Sequence, residues 1–293
     1  MGEVNESAFL AVIYPGAEPF LMSFFESLRA QTVSTFDIVL VNDGIADPER
    51  YIEGIASDRI LTIPGTGSVI ENRERMLKAA LDRQYKYLFF ADCDDMQQPG
   101  RVENVLPLLA DHSMVVNDLA LAKEDGTIST DHFLGHRLGE QAILQASFLF
   151  DKNIAGMGNT ALRADVIPPG FTFPPDCGVT DWYLFTRVAL NTGNFLFTAT
   201  AETVYRQHHQ NFVGLQKEHT HASLLKGLNV KKEHYRSLVT IYPEFQSRYN
   251  AIERTIAFVE ASSDNADAYV AHIKSLHLKY PFWWEEIQAY PHD

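Results

Sequence analysis

The chain is poor in cysteine. Its two, Cys93 and Cys177, supply no disulfide framework, a usage that fits a reducing compartment. It also lacks any hydrophobic run approaching the ~18 uncharged residues of a membrane-spanning helix. The opening Met1–Glu6 stretch is short and acidic, which is not the pattern of a signal peptide. Basic residues are scarce: 24 Lys and Arg stand against 38 Asp and Glu, for a net charge of −14. So acidic a chain has no electrostatic footprint for nucleic acid or for an anionic lipid surface. No Gly-Lys-Ser/Thr follows Gly65-Thr66-Gly67, so that turn is no P-loop, and the three-glycine dinucleotide fingerprint is absent too. Internal repeats and low-complexity segments are missing as well. What remains is 293 residues, 46% hydrophobic and 21% charged, the composition of one large globular domain or a domain with an appendage.

Apolar runs and helical periodicities alternate through the first third. Phe9–Ile13 reads as a strand closed by Tyr14-Pro15-Gly16. Ala17–Ala30 then carries Phe20, Leu21, Phe24, Phe25 and Leu28 on one helical face. Asp37–Val41 is a second strand, ending in Asn42-Asp43-Gly44, and Arg59–Ile63 a third, closed by Pro64-Gly65-Thr66-Gly67. Glu71–Arg83 is helical, with Met76, Leu77, Ala80 and Leu81 inward. Tyr87–Ala91 is a fourth strand, apolar along its whole length. The order strand-helix-strand-strand-helix-strand predicts an α/β fold with a mostly parallel sheet. In such sheets the ligand crevice lies beyond the carboxyl ends of the strands. Those ends carry Tyr14, Asp43, the Gly65–Gly67 turn, and Asp92 with Asp94.

The fourth strand stops in three carboxylates, Asp92, Asp94 and Asp95. Like charges crowded at the end of a buried strand repel. The simplest compensating cation is a hard, oxygen-seeking divalent metal such as Mg²⁺ or Mn²⁺. Alternation sends Asp92 and Asp94 to one side and Asp95 to the other. A solvated acidic turn accounts for the same residues, since Asp-Asp with a proline downstream is good turn chemistry. The Glu71–Arg83 helix opens with Asn72-Arg73-Glu74-Arg75, and an arginine in that first turn could reach a phosphate; an exposed salt-bridging arginine is the plainer account.

Further on, Ser113–Asn117 reads as a strand, Gln141–Phe150 as either helix or strand, and Asn153–Thr160 as a loop with two glycines. Asp181 heads an apolar helix, where a first-turn acid or an N-cap is favoured by the helix dipole. The strand-like run Phe195–Tyr205 leads into Arg206-Gln207-His208-His209-Gln210-Asn211, either surface polar residues or a metal- or phosphate-binding loop. His219 and His221 match no zinc spacing and are read as solvated. From Gly214 to Asp293 the pattern is helical, broken at Pro243 and at Ser262–Asn265. Tyr280-Pro281-Phe282-Trp283-Trp284 reads as an exposed aromatic cluster suited to packing on the main domain or on a second subunit.

Four blocks in fixed order now carry a resemblance. Ser27–Thr32 followed by Ile38–Gly44 is similar to an "SLxxQT" helix end and a "VNDG" strand. Asn72–Leu77 and Ala91–Pro99 are similar to an "NRxxxL" helix and a "DxDD…P" block. Asn153–Gly156 and Thr180–Tyr183 look like an "NxxxG" loop and a "DWW" helix start, and Tyr205–Gly214, YRQHHQNFVG, resembles "YRQHGxNxxG". Together they resemble the inverting family 2 glycosyltransferases of GT-A fold, and among these the bacterial enzymes that transfer sugars such as rhamnose to cell-surface polysaccharide. The resemblance covers roughly residues 8–214.

The resemblance implies a GT-A-like, Rossmann-like mixed sheet, mostly parallel and flanked by helices, over residues 1–214, with a helical C-terminal extension over 215–293. It implies transfer of a sugar from a nucleoside diphosphate sugar, UDP- or dTDP-linked, to a hydroxyl of a glycan or lipid-linked acceptor. Donor-nucleotide contacts fall on Tyr14, Asp43, Asn72, Arg75, Asp92, Arg206 and His208. Metal ligation by Mn²⁺ or Mg²⁺ falls on Asp94, Asp92 and His208, with Asp95 orienting them or touching the sugar. Asp181 takes the role of general base. A cytoplasmic site of action is implied, at the inner face of the membrane by peripheral contact where the acceptor is lipid-linked, and the helical extension is a candidate for homodimer contact. The chain departs from the pattern at Ile13-Tyr14-Pro15-Gly16, where Thr-Tyr-Asn is usual, and at Ile45, Cys93 and His209. Two other readings are weighed. A sugar nucleotidyltransferase calls for a basic, Gly-rich loop after the first strand, which Tyr14–Glu18 lacks. A non-catalytic nucleotide-sugar-binding or scaffolding module would keep the fold and bind without turnover.

Overall fold

The computed structural model describes residues 5–208 and 219–291; the His209–Gly214 part of the last sequence block lies outside them. Among the described residues one sheet is built from β1 (Ser7–Ile13), β2 (Asp37–Asn42), β3 (Ile60–Pro64), β4 (Tyr87–Phe90), β5 (Met96–Gln97), β6 (Met114–Lys123), β7 (Ile128–Thr130), β8 (Gln141–Gln145), β9 (Thr160–Arg163) and β10 (Asn194–Gln207). The helices are α1 (Glu18–Arg29), α2 (Glu49–Ile52), α3 (Val69–Asp82), α4 (Arg101–Val105), α5 (Gly135–Leu138), α6 (Thr180–Thr192), α7 (His221–Val239), α8 (Gln246–Ala261) and α9 (Ser263–Ser275).

Strand order is β3-β2-β1-β4-β9-β6-β10-β5, with β7 added to β6 and β8 to β10. The β3, β2, β1 and β4 set is parallel throughout, and β10 runs parallel to β6. β9 is antiparallel to both of its neighbours, which inserts one reversed strand between the two parallel sets. Gln141–Phe150 resolves as strand β8 followed by a 3₁₀ turn at Ala146–Leu149.

Local chemistry explains the elements. Pro19 opens α1, where its missing N–H costs nothing, and the Phe20, Leu21, Phe24, Phe25 and Leu28 stripe is buried. Ser68 caps α3 by accepting from Glu71 N. One core layer joins Phe9, Ala11 and Ile13 of β1, Ile38 and Leu40 of β2, and Phe89 of β4 to the α1 stripe and to Val102 and Val105 of α4. Ala8 and Leu10, on the opposite face of β1, are fully buried too, as a central parallel strand requires.

The described chain falls into two compact units. The first takes the chain through Ala146, then Ala155–Thr172, then Val188 to the end of β10, and so contains the sheet. The second takes Ser147–Ile154, Phe173–Arg187 and the C-terminal helices. A single boundary at residue 214 does not describe this division, because the head of α6 shares a core with α7. Trp182 Nε1 donates to Leu149 O at 2.6 Å, and its ring stacks on that of His234 with centroids 3.8 Å apart.

In the second unit the C-terminal aromatic cluster is largely interior. Phe282 and Trp284 are buried, and Trp284 lies parallel to Trp182 with centroids 6.5 Å apart. Asn153 and Trp283 form a backbone bridge that draws this segment inward. His219 is mostly enclosed rather than solvated, with Nε2 3.3 Å from Glu286 Oε1, whereas His221 is exposed beside Asp267.

Candidate active site

The parallel strands end on one rim of the first unit. Asp43 follows β2, and its backbone N–H donates to Ile13 O at 2.8 Å, tying the ends of β1 and β2 together. Asn42 shapes the turn: its Oδ1 accepts from Gly44 N and Ile45 N, an Asx arrangement that accounts for the Asn-Asp-Gly sequence. Asp43 Oδ1 accepts from Gly67 N at 2.7 Å, so the loop after β3 closes on this carboxylate. Gly65 is required there, because a Cβ at that position would stand 2.4 Å from Asp43 Oδ1. Asn72 is buried in α3 and accepts from Thr66 N at 2.9 Å, holding the same loop from the other side. Arg75 is exposed and donates to Pro64 O at 3.0 Å.

The acidic turn after β4 is held by side chains from distant elements. Asp92 Oδ1 lies 2.9 Å from Arg73 Nη2, and Arg73 Nη1 is buried with no partner among the described residues. Asp94 Oδ2 lies 3.0 Å from His208 Nε2, whose ring packs 4.7 Å from that of Phe20 on α1. Asp95 is buried, and its Oδ1 accepts from Arg206 N at 2.9 Å. The Arg206 guanidinium donates to Asp94 O at 3.0 Å and to Ser23 Oγ at 3.1 Å. Gly158 closes over Asp95: a Cβ there would meet Asp95 Oδ2 at 2.6 Å.

Burial raises the carboxyl of Asp92, with Arg73 pulling it back and Asp94 adding to the rise. Asp95 is pushed well above the carboxylate range by burial and then by Asp94 and Asp92. The same causes keep the buried Cys93 a thiol. Tyr14 stands at the end of β1 with its phenol raised, first by burial and then by Asp94. Arg101 is the buried counter-charge. Burial lowers it to about 9, while Asp95 and Asp92 pull it back up. It donates to Asn117 Oδ1 at 2.9 Å, Phe90 O at 2.9 Å and Thr160 O at 3.2 Å, and also to Gln97 Oε1.

The first unit thus gathers Tyr14, Asp43, Asp92, Asp94, Arg206 and His208 at strand ends and the loops after them, with Asn72 on α3 holding one of those loops. Of the first-turn arginines, Arg73 rather than the expected Arg75 reaches the acidic turn, and Arg101 is a basic residue that the sequence did not point to; helical period could have found both. Arg73 shares a face with the inward Met76 and Leu77, three and four positions on, whereas Arg75 shares one with exposed Lys78. Arg101 likewise precedes buried Val105 by four.

Asp181 belongs to the second unit. It lies in the first turn of α6, half-buried, with Oδ1 accepting from Trp182 N at 2.7 Å and Oδ2 from Asn153 Nδ2 at 3.2 Å.

Comparison with known proteins gives a consistent outcome. The family described as glycosyl transferase family 2 matches residues 11–167. EpsH of Bacillus subtilis (strain 168), a relative carrying a glycosyltransferase name, is 29% identical over 131 residues, or 42% of this chain. The match spans about a third (36%) of that relative's length. Among solved structures, S. aureus TarS 1-349 in complex with UDP-GlcNAc superposes with a TM-score of 0.57 at 15% identity, over 93% of this chain and 76% of that one. Mannosyltransferase PcManGT from Pyrobaculum calidifontis, in complex with GDP-Man and Mn²⁺, gives 0.55 at 16% identity, over 98% and 85%. At these identities the likeness is one of fold, and it bears out the mixed, mostly parallel GT-A-like sheet expected from the sequence.

Proposed function

Because the chain belongs to the family 2 glycosyltransferases, we propose that it is a metal-dependent, inverting glycosyltransferase acting on a UDP- or dTDP-sugar and a hydroxyl of a glycan or lipid-linked acceptor. The observation that carries this reading is the 3.0 Å approach of His208 Nε2 to Asp94 Oδ2, beside Asp92 and the buried Asp95. Carboxylate oxygens with one imidazole nitrogen suit Mn²⁺ or Mg²⁺. The raised carboxyls of Asp92 and Asp95 mark a cluster short of positive charge, which fits such an ion. Asp94, Asp92 and His208 would hold it, and a bound ion supplies Lewis-acid neutralisation of the departing diphosphate.

The chain's own residues do the rest. Asp43, oriented by Gly67 N, accepts a hydrogen bond from an N–H of the nucleobase, with Tyr14 beside it at the end of β1. Asn72 acts through the Gly65–Gly67 loop that it holds. Arg73, with a buried nitrogen that has no partner among the described residues, is better disposed toward a donor phosphate than exposed Arg75. Arg206 positions the acidic turn through Asp94 O and Asp95 Oδ1. Asp181 is the general base: it takes the proton of the acceptor hydroxyl as that oxygen attacks the anomeric carbon. The bond to the diphosphate oxygen breaks on the opposite face and its electron pair leaves with the diphosphate, which inverts the carbon. In this reading a lipid-linked acceptor is met by peripheral contact at the cytoplasmic face. Among the described residues no helix is long and apolar enough to cross a membrane.

Donor hydrolysis and transfer with Mn²⁺, screened over UDP-, dTDP- and GDP-sugars, tests the assignment. Asp94→Ala and Asp181→Ala should each lower turnover by about 100-fold or more. Calorimetry should show Mn²⁺-dependent nucleotide binding lost in Asp94→Ala and kept in Asp181→Ala. Unchanged turnover in both variants refutes the reading. Nucleotide binding without turnover on any donor would instead mark a binding module.

A further inference from the structure

Away from the acidic turn, the parallel pairing of β6 with β10 sets Asp118 directly opposite Glu202. Register partners on adjacent strands project to the same face, and like charges so placed repel. β10 reaches this register through an irregularity between Thr198 and Glu202. His132, from the segment between β7 and α5, completes the group. Its Nδ1 lies 3.4 Å from Asp118 Oδ2 and 3.1 Å from Glu202 Oε1. The three ligand-capable atoms all fall within 4.8 Å of one another.

Proton arithmetic leaves this cluster incomplete. One imidazole nitrogen carries at most one proton and cannot donate fully to two carboxylates. Even as imidazolium, His132 balances only one of the two negative charges. A neutral His132 with a divalent cation balances both. The two histidine distances also suit ligands around an ion: a tetrahedral centre with arms of about 2.0–2.2 Å has edges of roughly 3.3–3.6 Å. The observed 3.1 and 3.4 Å lie close to that range.

The groups are preorganised. Asp118 is fully buried, and its Oδ1 accepts from Leu119 N and Leu134 N, each at 2.8 Å, and from Gly135 N at 3.2 Å. That leaves Oδ2, with Gly135 N also at 3.2 Å, facing His132. Glu202 Oε1 accepts from His132 N at 3.0 Å, and Gln98 Nε2 lies 3.4 Å from Oε2. The His132 side chain is 56% exposed, so the group opens to solvent on one side, where water can fill a fourth position.

We propose that Asp118, His132 and Glu202 form a second divalent-cation site, of the zinc type, separate from the Asp92, Asp94 and His208 group. Its role is positional. Glu202 lies on the strand that goes on to deliver Arg206 and His208, so an ion tying Glu202 to Asp118 holds β10 in register with β6.

The test uses Zn²⁺ alone. In the full chain carrying Asp94→Asn and His208→Gln, which silence the other group, calorimetry with ZnCl₂ should still find about one equivalent bound. Adding His132→Ala or Glu202→Gln should weaken that binding at least tenfold, and Mn²⁺ should bind the background variant more weakly than Zn²⁺. In the otherwise wild-type chain, Zn²⁺ should raise the thermal midpoint and do so less after His132→Ala, whose exposed side chain can be removed without breaching the core. The proposal is overturned if the background variant binds no Zn²⁺, or if neither added substitution alters its affinity.

Discussion

His208 Nε2 stands 3.0 Å from Asp94 Oδ2, joining two residues 114 positions apart in the chain. The ring is braced by Phe20, so its direction toward Asp94 is set before any ligand arrives. Losing an outer-shell partner of a metal typically costs about 10–100-fold in affinity or activity, and losing a ligand costs at least as much. His208→Ala should therefore raise the Mn²⁺ concentration needed for half-maximal turnover by about that factor, and Asp94→Asn by more. Initial rates across a Mn²⁺ titration read it directly. An unchanged half-saturation in His208→Ala would remove the histidine from the metal shell.

Arg101 is enclosed and donates to four acceptors while facing Asp92 and Asp95. Arg101→Met strands those acceptors and leaves the carboxylates without their buried counter-charge. The expected destabilisation is about 3–5 kcal/mol, with Arg101→Lys recovering only part. Urea unfolding measures it. A loss below about 1 kcal/mol would mean that the acidic turn does not depend on this cation.

At Gly65 the neighbour is backbone, which cannot swing aside: an added Cβ would stand 2.6 Å from Asp43 Cα. Gly65→Ala should cost about 1–3 kcal/mol and weaken UDP binding by tenfold or more, since Asp43 must move. Gly178→Ala is the control, because a Cβ there meets nothing within 4 Å. Equal effects from the two substitutions would detach Asp43 from nucleotide binding.

Two buried groups on α7 make stability depend on pH. Burial lowers Lys231 from 10.5 to about 8 and His234 from 6.5 to about 3. Among the described residues neither ring nitrogen of His234 has a hydrogen-bond partner. Between each pair of values the unfolded chain holds more protons than the folded one, so stability rises with pH across both windows. His234→Phe should flatten the loss on acidification below pH 6.5. Lys231→Met should flatten the rise above pH 8 and increase stability at neutral pH by up to about 3 kcal/mol. Urea midpoints across pH for wild type and variants decide; parallel profiles would falsify the assignment.

The parallel half of the sheet is legible because β1, β2, β3 and β4 are apolar runs, each closed by turn chemistry at a strand end. In the other half the long strands β6 and β10 follow the apolar Ser113–Asn117 and Phe195–Tyr205 runs, but the short strands between and beside them leave no such trace. β5, β7 and β9 are two to four residues long, too short to display a period. β9 exists because β4 and β6 each present it a partner edge, a fact of assembly that Thr160–Arg163 does not announce.

The acidic turn and His208 stand out in the sequence by composition, yet the contacts that orient them do not. Arg206 N meets Asp95 only because β10 pairs with β5, which follows the aspartates directly. Asp118 and Glu202 meet through strand register, and His132, 70 positions before Glu202, arrives on the segment between β7 and α5. Spacing along the chain carries no trace of that meeting.

β10 acts as a ruler. Glu202 and Arg206 stand an even number of positions apart on one strand and His208 follows directly after its end, so their common direction depends on residue count as well as on contacts such as that of Phe20 with His208. A one-residue deletion between Glu202 and Arg206 would send the guanidinium to the far side and bring Gln207 into the register that now meets Asp95. Chimeras meant to alter sugar preference should therefore be joined outside Asn194–Gln207, with that stretch kept at its native length.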